Sequence, residues 1–189
     1  MKILVTESQY KRILREEEEE QKILRVPGLN FFHENHWEAW QILQKVLKHR
    51  GYPPYTIDGY LFLAGRPIKS LGNLQSVGES LDLRGTPIKS LKNLQSVGGN
   101  LDLRVTSIES LGNLQSVGGV LDLQFTSIES LGNLQTVGGD LDLRGTPIES
   151  LGNLTSVGKS LYLEETPLSK MYTEKQIREM VDVGDVIFM

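Results

Sequence analysis

The chain has 189 residues, a net charge of −4 and no cysteine, so its length fits one or two domains and disulfide bonds are excluded. The acidic balance argues against a nucleic-acid partner, since phosphate binding needs clustered Lys and Arg. No apolar run approaches membrane-spanning length, and the first residues do not resemble a secretory signal, so we expect a soluble protein without a membrane partner.

A leader helix is the first predicted element. Thr6 followed by Gln9 is typical of a capping box, which predicts a helix to about Leu24. The five adjacent carboxylates of Glu16–Glu20 repel one another, so we expect that part of the helix to be solvated or frayed. The Pro27–Gly28 pair then interrupts the chain.

The leader also carries a resemblance of its own. It begins with MKILVTESQYKRIL, which resembles short leaders that recur on unrelated proteins of tailed bacteriophages. Leu14–Glu16 is similar to the loose Leu/Ile-x-Glu pattern cut by some phage prohead proteases. The resemblance implies cleavage after Glu16 and a protein of the host cytoplasm or the virion; an ordinary amphipathic helix is the alternative.

A second helix is predicted before the central part of the chain. Asn35 and Glu38 form another capping-box pattern, and the helix is expected to reach about Arg50, with Gly51 just past its end. Four large apolar residues recur at helical spacing: Trp37, Trp40, Leu43 and Leu47. We expect this apolar face to cover the first unit of the domain that follows; a separate binding helix is the alternative.

Five near-copies of a 20-residue unit occupy residues 61–160, and one copy reads LDLRGTPIKSLKNLQSVGGN from Leu81. A fixed period of this length is typical of a solenoid, whose units bury their apolar faces against one another. Leu81 and Leu83 flank one polar residue, which predicts a strand with both leucines inward, and Gly98–Gly99 predicts a tight turn at positive φ. Since 20 residues leave no room for a full helix, we expect a parallel β-solenoid with one strand and two irregular sides per coil.

The phases of Leu81, Leu83, Thr86 and Ile88 resemble the leucine-rich-repeat core LxLxxNxL, with threonine in place of asparagine. The segment Asn93–Gly99 is similar to the turns of receptor L domains, which are relatives of that family. The resemblance covers about half the chain and implies a leucine-rich-repeat-like fold that binds partners on its strand face. The lack of a helix-length convex segment departs from the common repeat and leaves the curvature open.

Two polar rows recur in the repeat and are expected to face inward, where they would satisfy backbone groups at the coil corners. The threonine row consists of Thr86, Thr106, Thr126, Thr146 and Thr166. The asparagine row consists of Asn73, Asn93, Asn113, Asn133 and Asn153. We interpret both rows as scaffold.

The repeat ends atypically, as a capped solenoid requires. Leu161, Leu163 and Leu168 continue it for one last strand, after which Thr173 and Gln176 predict a short helix followed by an apolar tail. The expected organisation is a leader helix in 1–26, a helical N-terminal cap in 27–60, about five and a half repeats in 61–168 and a C-terminal cap in 169–189.

No residue pattern predicts catalysis or a cofactor. His33 and His36 are three residues apart, but the expected helix start separates them and no third metal ligand is evident. A calcium site along the repeated aspartates is disfavoured by the arginines beside them. We therefore expect a protein that is not an enzyme; an enzyme would need a pocket near His33, His36 and Tyr60.

The candidate site is the outward face of the repeated strand. One column consists of Asp82, Asp102, Asp122 and Asp142, and the column beside it of Arg84, Arg104, Gln124 and Arg144. Like charges in neighbouring strands repel, and the arginines can offset that repulsion. A self-neutralised, solvated sheet is one interpretation, and a docking face for a protein partner is the other.

Departures from the repeat mark one part of this face. Val105 and Phe125 replace a glycine, Gln124 replaces the arginine, and Val120 replaces a polar residue, and we expect all four to lie close together. Exposed apolar residues amid charges are typical of an interface hot spot, with drift after duplication as the alternative. The predicted partner-binding residues are Val105, Val120, Gln124, Phe125, Asp102, Arg104, Asp122, Asp142 and Arg144.

The sequence thus predicts a non-enzymatic leucine-rich-repeat module for protein–protein interaction. A structural or virion-associated role, with association through Tyr10, Ile13 and Leu14, stays open as an alternative. Ligand or glycan binding is a third, although the outward aromatics Phe62, Phe125 and Tyr162 are spread along the stack.

Overall fold

The computed structural model describes residues 23–29 and 35–189, and these residues wind into a parallel β-solenoid of about five turns. Each 20-residue repeat is one coil, and its strands pair in parallel with those of the coils before and after it. The repeat therefore has the architecture that its period predicts.

Every coil contributes two short strands, so the expectation of one strand and two irregular sides was wrong. The first sheet consists of β1 (Leu24–Val26), β2 (Tyr55–Ile57), β4 (Leu74–Val77), β6 (Ser96–Val97), β8 (Ser116–Val117), β10 (Thr136–Val137), β12 (Ser156–Val157) and β14 (Asp182–Val183). The second sheet consists of β3 (Leu61–Phe62), β5 (Leu81–Asp82), β7 (Leu101–Asp102), β9 (Leu121–Asp122), β11 (Leu141–Asp142), β13 (Leu161–Tyr162) and β15 (Ile187–Phe188). The third side has only isolated bridges such as Ser90–Ser110.

The core lies between the three sides of the coil and runs the length of the stack. In one coil the apolar phases of the repeat are each at most 1% exposed: Leu81, Leu83, Ile88, Leu91, Leu94 and Val97. The backbones of neighbouring coils also lie close together here. A Cβ added at Gly98 would overlap the carbonyl group of Gly78 in the preceding coil. The close approach of the two backbones explains why position 98 is glycine. The predicted positive φ is not found there.

The two polar rows behave differently. The threonine row is buried, and the hydroxyls of Thr106, Thr126 and Thr146 each donate to a leucine carbonyl three residues earlier, at 2.7 Å. The asparagine row is not inward-facing as expected, because its residues lie at an exposed corner of the coil. Asn93, for example, donates from Nδ2 to Oδ1 of Asn73 in the preceding coil, at 3.1 Å.

At the N-terminal end, helix α1 (His36–His49) forms as predicted. The Asn35 side chain caps it by accepting from the backbone N–H of Trp37 at 2.9 Å. Its apolar face is buried in the core with Ala39, Trp40, Leu43 and Leu47. Leu24, expected at the end of the leader helix, instead lies in β1, which extends the first sheet beyond β2. The rest of the leader prediction, with its cleavage site, lies outside the described residues.

At the C-terminal end, α2 (Pro167–Met171) and α3 (Glu174–Met180) interrupt the repeat, and Thr173 and Gln176 form the predicted capping box. The chain after α3 then adds β14 and, in the apolar tail, β15, which pair with β12 and β13. Ile187 pairs with Leu161 at a spacing of 26 residues instead of 20, because the two helices lengthen this last coil.

Candidate functional site

The outward side chains of the second sheet form a ladder of ion pairs, which we call the strand face. Arg84 Nη2 lies 2.6 Å from Asp82 in its own coil, and Arg84 Nε lies 3.3 Å from Asp102 in the next coil. Arg104 repeats this, at 2.6 Å from Asp102 and 3.1 Å from Asp122. Hydrogen bonds to their own aspartates raise the pKa values of both guanidinium groups. Each arginine thus offsets the repulsion between two stacked carboxylates.

The ladder changes at Gln124. Its Nε2 donates to Asp122 at 3.2 Å and to Asp142 at 2.8 Å, so a neutral amide takes the place of a guanidinium between these two carboxylates. Burial raises the pKa of the Asp122 carboxyl, and the negative charge of Asp142 raises it further. Asp142 is 6% exposed and also pairs with Arg144 at 2.5 Å. The predicted charged residues therefore do lie together, with one cation fewer at this coil.

Val105 and Phe125 form an exposed apolar edge of the strand face, which we call the rim. Their side chains are 67% and 62% exposed, and their backbones have φ values of 55° and 56°. The equivalent Gly85 and Gly145 have the same backbone conformation, with φ values of 63° and 65°. A left-handed backbone is costly for side chains with a Cβ and above all for a β-branched one. Both rim residues are therefore held in a conformation that suits glycine.

The rim is built by contacts between coils. The Val105 N–H donates to the Gln124 carbonyl at 3.3 Å, and the Phe125 N–H donates to the Arg144 carbonyl at 3.2 Å. The Phe125 ring lies against Gly145: a Cβ added at Gly145 would stand only 2.8 Å from ring atom Cδ1. The ring is therefore held against the next coil while most of its surface faces solvent.

Val120 does not join the rim, contrary to the expectation that the four departures lie together. It precedes β9, whereas Gln124 and Phe125 follow it, and a strand rises about 3.3 Å per residue. Its N–H donates to the Asn100 side chain at 2.9 Å, and its own side chain is half-buried. Val120 thus marks the opposite border of the strand face.

The sequence predicted Phe62 and Tyr162 as outward aromatics, but not the rings that stack on them at the two ends of the strand face. Tyr162 stacks on Phe188 with ring centroids 4.7 Å apart, and the Arg144 guanidinium lies over Tyr162 at 5.1 Å. At the other end Phe62 stacks on Tyr60 at 5.4 Å. Phe62, Asp82 and Tyr162 share one repeat phase, so the repeat itself already held the signal for this column.

Two cavities lie near the N-terminal end of the stack. One of about 480 Å³ lies between α1 and the first coil and is lined in part by Trp37, Trp40, Gln44, Lys45 and Lys69. Another, of about 380 Å³, is lined in part by His36, Tyr60 and Glu79, near the place where an enzyme would need a pocket. Burial lowers the pKa of His36 and favours its neutral form. His33 is outside the described residues.

Residues 23–29 and 35–189 contain no group of three or more His, Cys, Asp or Glu that could hold a metal ion. In the same part of the chain no helix has the length and apolar character needed to cross a membrane.

Comparison with known proteins gives no relative. No protein-family model matches the chain, and no curated protein and no solved structure is significantly similar to it.

Proposed function

We propose that the chain is a non-enzymatic, leucine-rich-repeat-like module that binds a protein partner through the strand face and the rim. Long, regular strand faces are the surfaces that solenoids offer to partners. Helices α1 and α3 would cap the two ends of the stack, since each buries apolar residues against it. The strand face would supply polar contacts and the rim the apolar anchor.

The observation that carries this proposal is the conformation of the rim. A side chain at positive φ costs about 1 kcal/mol or more relative to glycine. The fold gains little in return, because Val105 and Phe125 are mostly exposed. An unfavourable backbone with an exposed apolar side chain is typical of a functional position. Two adjacent coils share this combination, whereas Gly85 and Gly145 on either side do not.

The test is affinity capture from a lysate of the organism that encodes the chain, followed by mass spectrometry. Wild type is compared with the double variant Val105→Gly and Phe125→Gly, which restores the glycine of the neighbouring coils. The matched control is Glu165→Gly, which lies at the same phase of the repeat with a φ of 61°. All three proteins are first shown to melt cooperatively.

The proposal is supported if wild type and the control capture a partner that the double variant does not. The purified wild-type chain must then bind the same partner. Equal capture by all three proteins would contradict a role for the rim. Capture of nothing would favour a structural role and direct the search to assembled particles.

A further inference from the structure

Charge is distributed unevenly along the solenoid. Residues 61–100 contain five basic and two acidic side chains, whereas residues 101–166 contain three basic and nine acidic ones. Phe125 lies on the acidic side of this change, where the strand face carries Asp122 and Asp142. Beside the rim three carboxylates (Asp102, Asp122 and Asp142) face two guanidinium groups (Arg104 and Arg144). A partner that covers the rim therefore meets a small excess of negative charge, which favours a positive group on the partner.

Gln124 also changes which hydrogen bonds the face can make. Its amide nitrogen faces the carboxylates of Asp122 and Asp142, so its amide oxygen is directed away from them. An arginine at this position would present donors alone. The strand face beside Phe125 therefore offers an acceptor where Arg104 and Arg144 offer donors.

The chain itself shows how a cation fits such a surface. Arg144 pairs with Asp142 at 2.5 Å while its guanidinium lies over the Tyr162 ring at 5.1 Å. Aromatic faces attract cations, and a carboxylate close to the same cation adds its own Coulomb attraction. Phe125 is 62% exposed and follows Gln124 in the chain, and no cation lies over its ring in the part of the chain that the structure describes.

We infer that the partner presents an arginine or lysine beside an apolar residue. The cation lies over Gln124 and the Phe125 ring, and the apolar residue covers the rim. This inference rests on the proposed function and names the chemistry of the partner for the same surface.

The experiment uses defined peptides and the full chain. The probe is acetyl-Ala-Arg-Leu-Arg-Ala-amide, and the control peptide carries Glu in place of Arg. Binding is followed in ¹H–¹⁵N NMR spectra through the Gln124 side-chain amide and the backbone amides of Val105 and Phe125. The two variants are Gln124→Arg and Gln135→Arg. They change the net charge equally, but Gln135 is an exposed residue beside the first sheet.

The arginine peptide is expected to shift the NMR signals of the Gln124 side-chain amide and of both rim amides, with a dissociation constant in the millimolar range. Gln124→Arg should weaken binding of this peptide about fivefold or more, and Gln135→Arg less than about twofold. Equal weakening in both variants would show non-specific charge attraction and overturn the inference. So would binding of the glutamate peptide at the rim, or the absence of rim shifts at millimolar arginine peptide.

Failure here is distinguishable from failure of the proposed function. Suppose that the double glycine variant loses its partner but Gln124→Arg binds both partner and peptide as wild type does. The inferred cation of the partner is then contradicted, while the proposed binding module is supported. If the double glycine variant keeps its partner, the proposed role of the rim is contradicted.

Discussion

The Phe125 ring lies directly over Gly145, so that a Cβ at Gly145 would stand 2.8 Å from Cδ1 and 2.9 Å from Cε1 of the ring. Gly145 is therefore required twice, once by its φ of 65° and once by a side chain from the preceding coil. Gly85 has a φ of 63° and open space around it, so it carries the first requirement without the second. Substitutions at these two glycines can therefore distinguish the cost of backbone strain from the cost of contact with the ring.

Alanine at Gly145 is expected to cost more stability than alanine at Gly85. Both substitutions place a Cβ at positive φ, at a cost of about 1 kcal/mol. Only Gly145→Ala must also displace the exposed Phe125 ring from its place, which adds up to about 1 kcal/mol. Urea unfolding measures the free energies. In a Phe125→Gly background the difference should vanish; equal costs in the wild-type background would mean that the ring does not hold this place.

Val105→Gly is expected to raise the free energy of unfolding by about 1 kcal/mol, because it relieves a β-branched residue at a φ of 55°. Phe125→Gly should gain less, since it also removes the contact of the ring with Gly145. Thermal melts and urea titration check both. The matched control Glu165→Gly should gain less than Val105→Gly, since glutamate is not β-branched. A loss of stability in Val105→Gly would show that Val105 packs usefully in the fold.

The threonine row allows a test of a single buried hydrogen bond. The Thr146 hydroxyl donates to the Leu143 carbonyl at 2.7 Å, whereas the Thr86 hydroxyl has no hydrogen-bond partner among the described residues. Both residues are 2% exposed. Thr146→Val should cost about 1 kcal/mol, and Thr86→Val should be neutral or stabilising. Similar losses for both variants in urea titrations would refute the difference between the two hydroxyls.

Asp122 predicts a specific pH dependence. Its pKa in the folded protein is raised above the ordinary value of 3.8, so the folded state binds this proton more tightly than the unfolded state. Ionisation of Asp122 therefore lowers the stability of the wild type as the pH rises from about 3.8 through the raised pKa. Asp122→Asn removes this titration, so its stability relative to wild type should rise between pH 3 and pH 7. Urea titrations across that range decide, and a relative stability that falls with pH would contradict the raised pKa.

How far the sequence predicts the fold depends on how strongly the repeat constrains each feature. The spacing of Leu81 and Leu83 predicts the second-sheet strand, and Asn35 predicts the start of α1, because both patterns are local. The strand Ser96–Val97 was missed because two residues are too short to show alternation. The last coil was missed although Asp182–Gly184 is similar to Ser156–Gly158, because two helices shift the period to 26.

The candidate site was predictable in part because the repeat makes departures from it visible. Replacement of glycine at Val105 and Phe125 is visible only because the copies are nearly identical, and their positive φ follows from the glycines beside them. The place of the Phe125 ring over Gly145 depends on a side-chain conformation that no spacing encodes. Val120 was misplaced because closeness in sequence was taken for closeness in space, although an extended strand separates its ends.

Hydrogen exchange of the full chain, with and without the captured partner, tests whether the strand face and the rim are the binding surface. The amides of Val105 and Phe125, just after the strands of the second sheet, donate to the next coil, to the carbonyls of Gln124 and Arg144. We expect slower exchange in segments 101–106 and 121–126 when the partner is bound, with no change in segment 134–138 of the first sheet. Protection confined to α1 or to the first sheet would contradict this expectation.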